Sequence, residues 1–284
     1  MSELYLISTP IGNLSDISKR AIKVLQSVDL VLAEDTRHTK ILAKAYDVNV
    51  PLMSLHSHNE KSRIPQILDF LDKGKNIALV SDAGTPAISD PGDRLVSSVI
   101  AAGHKLSPIP GPSAILAAVV VSGFPCVPFT FLGFIPRKGK PRSITLKKLM
   151  DSTETVVFFE SPKRLLTLLT DLIKSGQKSR KLVVAREMTK IHEEFFRGTV
   201  LESLEYFTEN RARGEITLVL SPKESEEQEA GKHLVAAEIL SRAFLTQGYP
   251  PSEVAREVSE VLRVSRNKAY EIVHSVMEKK EEDS

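Results

Sequence analysis

Short apolar runs that stop at turns rich in Gly, Pro, Ser and Asp, each followed by an amphipathic stretch, recur through the first 222 residues of the chain. No other feature constrains the fold as strongly. Strand-length apolar runs separated by helix-length periodic segments specify α/β layers with largely parallel strands. The runs fall at 3–8, 28–33, 76–80 and 104–109, and again at 127–132, 155–159, 181–185, 194–198 and 216–220. Helical segments are expected between them: one capped by Ser15 or Asp16 and running to Gln26, then 39–46, 63–71, 95–102, 163–174 and 200–207. Ser161-Pro162 puts a cap and a proline where helices begin. The elements form two sets with no internal repeat, so two α/β lobes, 1–115 and 116–222, are expected to face each other across a cleft.

The remainder reads differently. Residues 223–232 are polar and acidic without apolar periodicity, and are expected to be a linker. Beyond them, 233–246, 253–262 and 266–279 are helical with tight turns, which fits a small helix-turn-helix-like domain over 233–284. Charge divides along the same line. The net charge of +2 is the sum of −5 on residues 224–284 and +7 on the rest. The acidic tail argues against major-groove reading, although Arg263, Arg266, Asn267 and Lys268 stand near the start of the last helix.

Composition excludes several classes. Cys126 is the only cysteine, so neither an internal disulfide nor a multi-thiolate metal site can form. The opening MSELYLISTPIG has no basic segment ahead of an apolar one, and no apolar stretch approaches the roughly 18 residues of a membrane span. A cytoplasmic protein that engages no membrane is expected. One stretch is strongly basic: Arg137 to Lys148 holds six bases and no acid. With Gly139 and Pro141 in it, its first half reads as an exposed loop able to meet phosphates.

The chemistry is expected in the loops. Ser81-Asp82-Ala83-Gly84-Thr85-Pro86-Ala87-Ile88-Ser89-Asp90-Pro91-Gly92 follows a buried strand. Ligands of open α/β sheets bind beyond the carboxyl ends of strands. Thr9-Pro10-Ile11-Gly12-Asn13 and Pro110-Gly111-Pro112-Ser113-Ala114 end two other strands in the same manner. Neither G-x-G-x-x-G nor G-x-x-x-x-G-K-[ST] occurs, nor a G-x-S-x-G elbow or H-E-x-x-H. His56 and His58 are spaced as metal ligands can be, but that spacing alone carries little weight.

Taken in order, TPIGNL at 9–14, AEDTR at 33–37, SDAGTPAISDPG at 81–92, PGPSA at 110–114, FLGFIPRKGK at 131–140, FFESPKR at 158–164, AREMTKIHEEFFRGT at 185–199 and GEITLVL at 214–220 resemble one family. It is the bacterial small-subunit ribosomal RNA cytidine 2′-O-methyltransferases, within the tetrapyrrole methylase-like superfamily of S-adenosylmethionine-dependent methyltransferases. The resemblance covers about residues 3–222, and the three tail helices are similar to that family's helical extension. It implies a homodimer of two-lobed α/β chains with S-adenosylmethionine in the cleft. By resemblance the cofactor contacts are Pro10, Asp82, Gly84, Thr85, Ile88, Ser113 and Ala114 from the first lobe, and Phe159, Met188 and Gly214 from the second.

The implied reaction is attack of a ribose 2′-hydroxyl on the cofactor's methyl carbon, and it calls for no metal. A carboxylate that accepts the hydroxyl proton would help. The candidates are Glu34, Asp35, Glu160, Glu187 and Glu193. Asp35 and Glu160 are favoured, with Arg37 beside them; Arg186 and Lys190 could also steady phosphates. Arg137, Lys138, Lys140, Arg142 and Arg164 are the expected contacts to small-subunit ribosomal RNA, which is expected to be met within the assembled small subunit. Two competing readings are a methyltransferase acting on a tetrapyrrole, and a non-catalytic nucleotide-binding regulator whose tail binds DNA.

Overall fold

The computed structural model describes residues 2–223, 226–262 and 264–282. They belong to two compact units, Met1–Lys223 and Glu224–Ser284. The first unit contains two five-stranded sheets.

The first sheet has the order β3-β2-β4-β1-β5 and is parallel throughout. Its strands are β1 (Glu3–Ile7), β2 (Leu30–Ala33), β3 (Leu52–Ser54), β4 (Ile77–Val80) and β5 (Lys105–Ile109). Every residue of β2 and β4 is buried, as strands covered on both faces require. Alternation divides their side chains between two cores. Val31, Ala33, Ala78 and Val80 pack with Ala21 and Leu25 of α1 (Lys19–Ser27) and Leu42 of α2 (Thr36–Ala45). Leu30, Leu32, Ile77 and Leu79 pack with Ile67 and Leu71 of α3 (Glu60–Asp72) and Leu95 and Val99 of α4 (Asp93–Ala101). The first helix starts later than expected. Leu14–Asp16 forms one 3-10 turn capped by Asn13, and Ser18 caps α1 by accepting the Ala21 N–H at 3.1 Å.

The second sheet has the order β6-β7-β10-β8-β9. Its strands are β6 (Phe129–Phe134), β7 (Thr155–Glu160), β8 (Lys181–Arg186), β9 (Glu194–Thr199) and β10 (Ile216–Leu220). It departs from the parallel pattern expected. Only β6 and β7 run parallel; β7–β10, β10–β8 and β8–β9 are antiparallel. The loop joining β8 to β9 is too short for the crossover that parallel neighbours need. One face packs against α7 (Pro162–Lys174) and α8 (Val200–Glu209) through Leu165, Leu168, Val200 and Phe207, with Leu149 of α6 (Gly139–Asp151). The other face takes Ala118 and Val119 of α5 (Ala114–Val120), together with Ile11 and Met188. The expected lobe boundary at 115/116 therefore falls inside a helix that packs on the second sheet.

Two further expectations are corrected. Residues 139–148 are helical, not a loop. Gly139 and Pro141 lie in the first turn of α6, where backbone N–H groups have no intrahelical partner to lose. In the second unit α9 (Glu226–Thr246) begins inside the stretch expected to be a linker; Glu224 and Ser225 of that stretch lie outside the described residues. The unit is completed by α10 (Pro251–Leu262) and α11 (Arg266–Glu282), around Ala237, Val254, Val258, Ala269 and Val273. Arg266, Asn267 and Lys268 are exposed at the start of α11; Arg263 lies outside the described residues. No helix among the described residues is long and apolar enough to cross a membrane.

Candidate active site

Because the first sheet is parallel, all five strands end at one edge, and the loops singled out in the sequence gather there. They are tied together by backbone and short side chains. Thr9 and Gly84 exchange two backbone hydrogen bonds, at 2.9 and 3.0 Å, which joins the loop after β1 to the loop after β4. Thr9 Oγ1 donates to the Ser81 carbonyl at 3.1 Å, and Ser8 Oγ lies 3.0 Å from Thr85 Oγ1. Thr85 Oγ1 also reaches the Pro112 carbonyl at 3.5 Å, in the loop after β5. Ser113 and Ala114 open α5, with Ser113 as its cap. Ile88 is exposed, and Pro10 is half-buried. The far end of loop 81–92 is fixed by a residue that sequence reasoning missed. Buried Glu60 accepts the N–H groups of Gly92 and Leu95, both at 3.1 Å, and so caps α4 from α3.

Four carboxylates meet at this edge because β2 lies beside β4. Asp82 accepts the Asp35 N–H at 3.0 Å and faces His38 Nδ1 at 3.2 Å. Asp35 accepts from Arg37 through both oxygens, with Nε at 3.0 and 3.1 Å and Nη2 at 2.5 Å, and caps α2. These bonds hold its carboxyl far below the usual carboxylate range, which makes Asp35 a weak proton acceptor. The Arg37 side chain is 86% exposed, so a guanidinium anchored at one end faces solvent. Glu34 behaves in the opposite way. Burial, then the charges of Asp90 and Asp82, raise its pKa above the ordinary glutamate value. Asp90 is raised as well, by burial first, against a hydrogen bond from Ser81. Of the candidate bases in this lobe, Glu34 is the one whose affinity for a proton is raised.

The second sheet presents its own edge. Glu160 ends β7 with its side chain wholly buried; Oε1 accepts the Ser161 N–H at 2.7 Å and pairs with Arg164 Nη2 at 2.5 Å. Oε2 is buried without a hydrogen-bond partner among the described residues. Burial pushes this carboxyl upward despite the arginine. Phe159 packs its ring against Phe131 and Phe134, at 5.1 and 5.2 Å. Glu187 follows β8, accepting the Glu215 N–H at 2.8 Å and Lys190 Nζ at 2.9 Å. Gly214, at φ 76°, takes a conformation that side chains disfavour, and a β-carbon there would displace the Glu187 carboxyl from its partners.

The two edges touch in the loop after β8. Met188 is buried in a core that includes Ile11 of the first lobe. Gly12 leaves so little space that a β-carbon would lie 2.9 Å from the Met188 carbonyl oxygen. This loop is strained: Glu187 and Thr189 have φ of 50° and 65°, a region that suits a β-branched residue poorly. Thr189 Oγ1 is buried without a hydrogen-bond partner among the described residues. Glu193 supports the turn by accepting the Thr189 N–H at 2.7 Å.

The five expected RNA-contact cations divide. Arg137, Lys138 and Lys140 are exposed. Arg142 instead reaches the Pro136 carbonyl and Asp171, and Arg164 reaches Glu160 and the Ile135 carbonyl. Those two brace α6 and α7 and are spent inside the lobe. His56 and His58 stack edge-on, with ring centroids 5.9 Å apart. Among the described residues no group of three or more His, Cys, Asp or Glu is placed to hold a metal ion.

A unit of two five-stranded sheets whose edge loops meet at one seam defines a class, and comparison with known proteins agrees. Residues 3–203 match the model of the Tetrapyrrole (Corrin/Porphyrin) Methylases, and the chain belongs to that family. A protein of Synechocystis sp. named "Ribosomal RNA small subunit methyltransferase I" is 42% identical over 96% of this chain and 97% of its own length. A protein of the same name from Thermotoga maritima is 50% identical over 79% of this chain and 100% of its own. That match spans 224 residues, about the length of the first unit here. Among solved structures, a uroporphyrin-III-C-methyltransferase from Thermus thermophilus superposes with a TM-score of 0.57 at 17% identity, over 78% of this chain and 94% of that one. The fold is thus shared well beyond the range of sequence similarity.

Proposed function

We propose that this chain transfers a methyl group from S-adenosylmethionine to the 2′-oxygen of a cytidine ribose in small-subunit ribosomal RNA. The names of relatives at 42% and 50% identity support the substrate class. The observation that carries the chemistry is the seam itself. Apolar side chains and bare backbone meet across it, and the sheet edge that supplies its first-lobe side carries short hydroxyls and a carboxylate of raised proton affinity, Glu34.

The donor set fits an adenosylated amino acid. Asp82, Thr85 and Ser113 suit hydroxyl and amine groups, Gly84 admits close backbone approach, and Pro10, Ile88 and Met188 offer apolar surface. Ala114, Phe159 and Gly214 complete the candidate set. Thr189 Oγ1 is a buried hydroxyl still short of a partner, and burying it unpaired has a cost that a bound polar group would remove. When bound, the cofactor supplies an electrophilic methyl group.

The chain's own residues do the rest. Glu34 accepts the proton of the attacking 2′-hydroxyl. Asp35 acts through Arg37, holding the guanidinium where a phosphate next to the target can meet it. Glu160 positions Arg164 and the start of α7. Arg137, Lys138 and Lys140 contact the RNA backbone. Held in place, nucleophile and methyl carbon react as one unit, which is where much of the rate enhancement arises. The two lobes form the catalytic body, with α5 belonging to the second, and the body works as a cytoplasmic homodimer.

The test is methyl transfer from labelled cofactor to three acceptors: isolated small-subunit RNA, assembled small subunits and a tetrapyrrole. Label in alkali-resistant cytidine dinucleotides supports the proposal. Transfer to the tetrapyrrole alone would overturn it.

A further inference from the structure

The second lobe carries a pocket that shares only Gly214 with the cofactor candidates above. Its volume is about 440 Å³. Ser161, Pro162 and Lys163 at the start of α7 form one wall, and Arg211, Ala212 and Arg213, leading to Gly214, form the other. No residue of the first lobe lines it. Lys163, Arg211 and Arg213 are exposed and have no ion-pair or hydrogen-bond partner for their side chains among the described residues. No carboxylate lines the pocket; Glu209, two residues before Arg211, is exposed and lies outside the lining. Glu160 pairs with Arg164, and Glu215 lies 2.9 Å from Lys190 Nζ. Three cations without an ion-pair partner among the described residues thus line a cavity that also presents the apolar side chains of Pro162 and Ala212. The positive end of α7, which the Ser161 side chain does not cap, adds to the same potential.

We propose that this pocket seats a nucleotide of the substrate RNA strand, with Lys163, Arg211 and Arg213 on its phosphates and Pro162 and Ala212 against its ribose or base. The proposal rests on the RNA reading above and deepens it. A single carboxylate, such as an amino acid carries, does not call for three cations, whereas a phosphodiester chain presents successive charges. The volume suits an unstacked nucleotide, the form in which RNA is read in single strands. The location is consistent too. Ile216 pairs with both Glu160 and Arg186, so the pocket shares the sheet edge on which loop 187–190 meets the first lobe.

The experiment uses the full chain, a small-subunit ribosomal RNA transcript and S-adenosylmethionine. RNA affinity is measured across salt concentrations, and cofactor affinity by calorimetry. The triple variant Lys163→Gln, Arg211→Gln, Arg213→Gln is expected to bind RNA about tenfold more weakly or worse. Its log–log salt slope should be shallower by about 1–2, at roughly 0.7 per phosphate on single strands. Cofactor affinity should stay within about twofold. The charge-keeping variant Lys163→Arg, Arg211→Lys, Arg213→Lys should retain the wild-type slope. An unchanged slope in the glutamine variant overturns the proposal, as does a loss of cofactor affinity at constant slope, which would make the pocket part of the cofactor site. Wild-type protein that binds and methylates no RNA would instead refute the RNA reading, and the pocket's assignment with it.

Discussion

Replacing Gly12 with alanine probes the seam between the two lobes with one methyl group. A β-carbon there would lie 2.4 Å from Lys190 Cγ, 2.8 Å from Thr189 Oγ1 and 2.9 Å from the Met188 carbonyl oxygen. Neither the hydroxyl nor the carbonyl can swing aside cheaply. The loop is pinned by Glu187 N–H to the Glu215 carbonyl at 3.0 Å, Lys190 N–H to the Glu187 carbonyl at 3.0 Å and Thr189 N–H to Glu193 at 2.7 Å. Lys190 itself is held by Glu187 and Glu215. The turn must therefore open by several tenths of an ångström, the situation in which overpacking costs about 1–3 kcal/mol. That corresponds to a factor of about 5–150 in an equilibrium constant. Urea denaturation of Gly12→Ala should show a stability loss in this range, and calorimetry should show weaker S-adenosylmethionine binding. Stability within about 0.5 kcal/mol of wild type, with unchanged cofactor affinity, would refute the idea that contact across the seam shapes the site.

Other expectations follow from the charged groups. Glu34→Gln should lower kcat by about 10²–10⁴ and abolish the acidic limb of the pH–rate profile. Glu34 must be ionised to work and its pKa is raised partly by Asp90, so activity rises with pH through that value. Asp90→Asn should then move the limb to lower pH; a limb that stays in place would remove Glu34 from the role. Arg164→Met strips the buried Glu160 of its counter-charge, at a cost of about 3–5 kcal/mol near pH 8. With the Glu160 pKa raised in the folded state, the penalty should shrink as the pH falls through it and the carboxyl takes up a proton; denaturation at pH 8 and pH 5 checks this. Arg180 is buried and donates to the carbonyls of Leu149, Met150, Ser152 and Ser221. Arg180→Met leaves these acceptors unsatisfied and should destabilise the second lobe by at least about 3 kcal/mol, visible as a lower urea midpoint.

The first lobe was legible because parallel strands buried on both faces read as unbroken apolar runs, as in Leu30–Ala33 and Ile77–Val80. Three-residue β3, half-buried, has too short a pattern to register. Strand direction in the second lobe was missed, although the seven residues between Arg186 and Glu194 were a usable signal. The basic run was misjudged because glycine and proline break helix interiors, whereas Gly139 and Pro141 stand in a first turn. Site loops were recognisable by composition and by resemblance. Their partners were not. Glu60 reaches α4 from more than thirty residues away, and Asp90 raises Glu34 because strand order sets β2 beside β4. Arg142 looked like a free cation for the same reason, since Asp171 is distant in sequence; Arg164 was within reach of the sequence, because its partner Glu160 lies one helical turn before it.

If this chain methylates the ribose of a small-subunit cytidine, as proposed, its loss must leave that ribose bare. Ribose-methylation mapping of small-subunit RNA from cells lacking the protein tests it most directly. One 2′-O-methylcytidine should disappear and return when the wild-type chain is restored, but not when Glu34→Gln is. A methylation map identical with and without the protein would contradict it.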